Sequence, residues 1–146
     1  MMILRSDVQN RPVDYLRHSR LGNMPLSSYG DGIKKVLLLS NAIAGAANGI
    51  LLIDEIETAI HKKYYDDIFG FIVKACKTFN VQMFITTHSI EAIDGLLDTQ
   101  NYETQTKNDA ISVVTLKRES NKTYSRALSG REVFENREAF NFEVRL

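Results

Sequence analysis

An α/β fold with a mostly parallel sheet flanked by helices and a C-terminal β-hairpin is what this sequence predicts, and three observations carry the expectation. Two short apolar runs, Gly49 to Ile53 and Val81 to Thr86, have the length and composition of buried parallel strands. Between them Tyr65, Ile68, Phe69, Ile72, Val73 and Cys76 recur at i, i+3, i+4, i+7, i+8 and i+11, which places largely apolar groups on one helical face. Downstream, the β-prone stretches Ile111 to Lys117 and Thr123 to Leu128 flank Glu119-Ser120-Asn121-Lys122, a turn-like tetrapeptide, as in an antiparallel hairpin.

Taken in order, Val13 to His18 offers one further strand near the start. Leu26 to Lys35 is a Gly-containing turn in which two serines lead into a helix over Ile33 to Ala46. That helix is mostly apolar or small and reads as largely buried. The two apolar runs and the helix between them form a β-α-β unit, whose crossover is expected to be right-handed. Both strands then open their C-terminal ends, Asp54/Glu55 and His88, onto one sheet edge, where open α/β sheets bind ligands. Thr99 to Asp109 is polar enough to read as an exposed loop, and a last short helix follows Ser129.

The chain of 146 residues, 44% hydrophobic, suits a single domain over residues 1–146. Its 18 basic and 18 acidic residues cancel, so it lacks the one-sided basic footprint of a dedicated nucleic-acid or membrane-surface binder. Cys76 is the sole cysteine, which excludes a disulfide framework or a multi-cysteine metal site within the chain and fits a reducing cytoplasm. Met1 to Asn10 lacks the apolar core of a signal peptide, and no apolar stretch approaches the ~20 residues that span a bilayer. A soluble, cytoplasmic protein without membrane contact is expected.

Adjacent carboxylates at a strand end, Asp54 and Glu55, suit chemistry in which one holds Mg²⁺ and the next orients or deprotonates an attacking water. The same pair can equally end a strand and cap a helix. His88, in Phe84-Ile85-Thr86-Thr87-His88-Ser89, can donate a hydrogen bond to a phosphate oxygen. A lone histidine is usually structural, but this one shares its sheet edge with the two carboxylates. The turn at Ser27, Ser28 and Gly30 presents a helix N-terminus, which attracts phosphate through orphan N–H groups. Taken singly it is also an ordinary capped turn.

The order of these pieces, signature-like turn, helix, ILLIDE, helix, strand and TTHS, resembles the second half of ABC-type ATPase domains, a partial P-loop NTPase fold. Within them the sequence is most similar to the AAA-type ATPases of the overcoming-lysogenization-defect, RecF and SMC-like group. PLSSYGDG, LLIDEIE and FITTHS have close counterparts there, and the likeness runs from Tyr15 through the ending FNFEVRL. The resemblance implies ATP and Mg²⁺ as ligands. It implies Asp54 as the Walker B magnesium residue, Glu55 as general base and His88 as the switch histidine. It further implies Ser28, Gly30 and Lys34 as signature positions facing the γ-phosphate of a nucleotide held by an opposite subunit, with Thr58 to His61 as the D-loop. Two positions depart from the pattern, Tyr29 for a usual glycine and Asp31 for a usual glutamine or glutamate, and point to a divergent signature of repair or defence type.

No G-x-x-x-x-G-K-[ST] occurs among the eight glycines, so the Walker A loop is absent from this sequence and negligible hydrolysis by the chain alone is expected. In the group's sheet order the Walker A strand lies between the strand ending at His88 and that at Ile111 to Lys117. Its absence leaves a gap there or forces those two to pair. Either way an apolar edge calls for company: a homodimer, or a partner chain bearing Walker A. The competing expectation is a non-catalytic relative that binds or regulates a complete ATPase. DNA would be engaged only through other domains.

Overall fold

The computed structural model describes residues 3–8, 11–20, 22–100, 102 and 109–140. Strands β1 (Ile3–Val8), β2 (Arg11–His18) and β3 (Gly22–Pro25) form an antiparallel meander in the order β1-β2-β3. The strand expected at Val13 to His18 is the central one and starts two residues earlier. Leu16, opposite Ile3 on one side and Met24 on the other, is its buried residue.

After a 3₁₀ turn at Leu26–Ser28, helix α1 (Asp31–Gly45) starts two residues before the expected position. Gly30 takes the extended N-cap conformation and Asp31 supplies a carboxylate to the first turn, where the helix dipole favours negative charge. The expectation of a largely buried helix is corrected: only Leu37, Leu39 and Ile43 are buried, while Leu38 is 64% exposed. A helix covering one face of a small sheet buries one stripe, and the apolar residues on the far side of α1 stay in solvent.

The β-α-β unit is present. β4 (Ile50–Ile53) pairs in parallel with β5 (Gln82–Ile85), and α2 (Tyr65–Phe79) crosses between them. Asp66 and Asp67 favour its N-terminus, and Asn80, left-handed at φ 52°, ends it. Its buried face, Tyr65, Phe69 and Ile72, joins Leu39, Ile43, Ile56, Ile60, Val81 and Ala92 in the main core. Full burial of a side chain such as Phe69 contributes about 1.5–3 kcal/mol. Helix α3 (Ile90–Leu97) is capped by the Ser89 hydroxyl, which accepts the Ala92 N–H, and approaches α2 closely at Gly95. A Cβ there would stand 3.1 Å from Phe69 Cδ2 and from Tyr65 Cβ.

The expected buried strands are corrected as well. Leu51, Ile53, Met83 and Ile85 pack on the core, but Ile50, Leu52 and Phe84 point the other way and are 62%, 73% and 52% exposed. One face of the parallel pair is covered by helices and the other, among the described residues, is bare.

The hairpin β6 (Ser112–Glu119) and β7 (Lys122–Ser129) turns through Ser120-Asn121, with Ser120 at φ 53° as tight two-residue turns require. It leads straight into α4 (Gly130–Phe140). A small second core holds Leu97, Tyr102 and Val133. Most of the polar stretch after Thr99 lies outside the described residues, as do residues 141–146. Among its described members the expected exposure holds at Asp109 and is corrected at Gln100 and Tyr102, which are buried. Tyr102 stacks on Phe134 and donates its hydroxyl to Asp109 Oδ1 at 3.1 Å, which satisfies the one polar atom that burial would strand.

Among the described residues the expected parallel sheet is present only as the β4-β5 pair, beside the antiparallel sheets β1-β2-β3 and β6-β7. β5 and β6 do not pair, which is the gap rather than the closure of the two expected alternatives. No helix among the described residues is long and apolar enough to cross a membrane.

Candidate functional site

The parallel register places Ile53 beside Ile85, so Asp54 leaves β4 level with Thr86 as it leaves β5. The ladder continues briefly: Thr86 N–H donates to Ile53 O at 2.9 Å and Ile56 N–H to Thr86 O at 3.3 Å. The Thr86 side chain joins the two residues after β4. Its hydroxyl accepts the Glu55 N–H at 2.9 Å and donates to Asp54 Oδ1.

Glu55 has a left-handed backbone, φ 47°, in which a residue with a Cβ is strained. That turn swings its side chain so that Oε2 accepts the Thr58 hydroxyl at 3.2 Å while Oε1 stands 4.0 Å from His88 Nε2. The carboxylate and imidazole are 52% and 87% exposed, so the pair lies open to any ligand arriving at this edge. Asp54, Glu55 and His88 thus share this edge, and Thr58 joins Glu55 there.

The signature residues are held by local structure at the start of α1. Ser28 closes its 3₁₀ turn, Gly30 caps α1, and both are exposed. Lys34 pairs with Asp31 at 3.0 Å across one helical turn, so the departure at position 31 has a local role in this structure. A link to the cluster runs through Gly32, where a Cβ would lie 3.1 Å from the Ala59 carbonyl oxygen, which sets the first turn of α1 against the segment carrying Thr58. His61 serves its own turn: Nδ1 accepts the Lys63 N–H at 3.3 Å.

Two further residues of this edge, inside LLIDEIE and FITTHS, have roles that the motifs do not assign: Thr86, and Glu57, whose Oε1 accepts the His88 N–H at 3.0 Å. Burial raises the Glu57 pKa, but the nearby donors, its own N–H, the His88 N–H that it accepts and the Thr87 hydroxyl, outweigh it and lower the carboxyl below its ordinary value. The third carboxylate in Asp54-Glu55-Ile56-Glu57 was the available signal.

Among the described residues no group of three or more His, Cys, Asp or Glu could hold a metal unaided. A single exposed carboxylate oriented by a hydroxyl is instead the donor set that suits Mg²⁺ held jointly with substrate phosphates and water. Asp54 fits that part. A cavity of 470 Å³ lies between α2 and α3, lined by Asp66, Gly70 and Asp98 among others, and none of Asp54, Glu55 or His88 borders it. The cluster is an open edge, as one side of a two-part site would be.

Comparison with known proteins adds to this geometry. Residues 3–94 match the family model described as "AAA domain, putative AbiEii toxin, Type IV TA system". An uncharacterized protein of Methanocaldococcus jannaschii is 39% identical over 69 residues, 47% of this chain and 60% of its own length. A Helicobacter pylori protein named ATP/GTP phosphatase is 34% identical over 91 residues, covering 58% of this chain and 24% of its own length. The chain thus spans less than two thirds of either relative. Among solved structures, one from work on ATP-driven dimerization and DNA stimulated activation of SMC ATPases superposes with a TM-score of 0.58 at 12% identity. It covers 92% of this chain and 76% of the other, a likeness of fold.

Proposed function

The chain belongs to the AAA-domain family whose model spans residues 3–94, and from that premise we propose that it is the signature and Walker B half of an ABC-type ATPase. It hydrolyses ATP to ADP and phosphate only when a Walker A segment completes the site. The observation that carries this reading is the convergence of Asp54, Glu55 and His88 at the C-terminal edge of the parallel β4-β5 pair, with the Thr86 hydroxyl joining the Asp54 carboxylate to the Glu55 backbone N–H. The H. pylori relative, named as an ATP/GTP phosphatase, supports the same chemistry.

In this reading Glu55 takes the proton of the attacking water, and Thr58 steadies the carboxylate for that role. His88 donates to the γ-phosphate oxygen, and Asp54 is the protein's ligand to Mg²⁺, which when bound neutralises charge on the phosphates. Ser28 and Gly30, with Lys34 behind them, face the nucleotide of an opposite subunit, while the segment from Thr58 to His61 crosses between subunits. A Walker A-bearing chain supplies the remainder, while a homodimer would pair two copies of this half without completing the site. The SMC structure, from work on ATP-driven dimerization, is consistent with such assembly. The setting we infer is a cytoplasmic repair or defence system that meets DNA through other domains.

The test is reconstitution with a Walker A-bearing segment of a relative, followed by phosphate release. Mg²⁺-dependent hydrolysis is expected, and Glu55→Gln should slow it by roughly 10². An unchanged rate in that variant would remove Glu55 as the base. A non-catalytic binding partner is the second reading, favoured by the bare apolar face at Ile50, Leu52 and Phe84. It would show as tight association that lowers the activity of a complete relative without phosphate release at this site.

A further inference from the structure

The His88 side chain is 87% exposed and its ring stands 4.0 Å from Glu55. Regular pairing of β5 ends at Ile85 and α3 begins at Ile90, so His88 sits on a short connector whose backbone the sheet no longer fixes. The His88 N–H is instead taken by Glu57 Oε1 at 3.0 Å, while Glu57 Oε2 is buried with no hydrogen-bond partner. A side chain held by one oxygen, with the other withdrawn from water, is an unusual use of a carboxylate unless the position of that bond matters.

Glu57 belongs to the same turn as Thr58, whose hydroxyl holds Glu55 Oε2, and as Ala59, whose carbonyl abuts Gly32 of α1. The turn therefore grips both members of the pair: Glu55 through Thr58, and the backbone of His88 through Glu57. We propose that Glu57 is a positioning residue that fixes the His88 connector to this turn and so sets the imidazole against Glu55. Its consequence for hydrolysis rests on the function proposed above, but the coupling itself can be read without nucleotide.

The decisive contrast is reach against charge. Glu57→Gln keeps an acceptor oxygen at the same distance and loses the charge, whereas Glu57→Asp keeps the charge and falls one methylene short. In the full chain with ¹⁵N-labelled histidine, Glu55→Gln should shift the His88 imidazole nitrogen resonance. That shift should persist in the Glu57→Gln background and fall by about twofold or more in the Glu57→Asp background, with the core methyl resonances of Ile43 and Ile72 unmoved. A shift retained with Asp, lost with Gln, or lost only together with displaced core resonances overturns the proposal. An enzyme that fails to release phosphate while this coupling persists would instead count against the proposed ATPase reading alone.

Discussion

The N–H of Glu55 donates to the hydroxyl of Thr86 at 2.9 Å, a bond across 31 residues that ties the turn after β4 to the end of β5. The same hydroxyl reaches Asp54, so one threonine sets the backbone of the proposed base and the side chain of the proposed metal ligand.

Thr86→Val keeps the shape and removes both bonds. The expected cost is about 1 kcal/mol of stability, since the exposed groups regain water, measured by urea denaturation. In the reconstituted enzyme the same variant should lose about tenfold or more in kcat, because a misplaced carboxylate costs more in rate than in folding. A stability loss without a rate loss would show that Thr86 only closes the ladder.

Gly130 opens α4 where a Cβ would collide with the Tyr102 hydroxyl and stand 2.9 Å from Asp109 Oδ1. Gly130→Ala should therefore destabilise the chain by about 1–3 kcal/mol. Tyr102→Phe removes the colliding oxygen, so the double variant should be less destabilised than the sum of the two singles. Strict additivity in thermal denaturation would refute the collision.

Glu91 carries the clearest acid dependence. A hydrogen bond from Lys62, its own backbone N–H and the Ser89 hydroxyl lower its pKa from 4.5 to about 2. A carboxyl depressed on folding stabilises the native state above its unfolded pKa and loses that contribution as pH falls through the folded one. The stability difference between the unmodified chain and Glu91→Gln should thus be present above pH 4.5 and gone by about pH 2. Both groups lie in solvent, so salt should shrink it.

The bare face of β4 and β5 offers a test by charge. Leu52→Lys with Phe84→Lys should leave folding stability nearly unchanged, because both side chains are already mostly in water. Sedimentation should then show less self-association, and capture of a Walker A-bearing partner should weaken. Equal association with and without the lysines would move the interface elsewhere.

Much of this was legible in the sequence because it is encoded locally. The spacing from Tyr65 to Cys76 fixes the inward face of α2, and Ser120-Asn121 between β-prone stretches fixes the hairpin. What could not be read depends on a second layer or a distant partner. Ile50 and Leu51 look alike in an apolar run, and only the presence of helices on one side makes one exposed and the other packed. Tyr102 lies in a polar stretch, but Asp109 answers its hydroxyl and makes burial tolerable. The roles of Thr86 and Glu57 are bonds to backbone N–H groups about 31 residues away, which no local pattern records.

The left-handed backbone at Glu55 has a consequence for anyone engineering the protein. Glycine adopts that conformation freely, and asparagine more readily than glutamate, so either replacement should relieve on the order of 1 kcal/mol of strain. A screen that rewards only folding or expression would drift toward glycine at position 55 and return robust chains without the proposed base. Variants should be selected for thermal tolerance and turnover together, because at this residue the two demands pull in opposite directions.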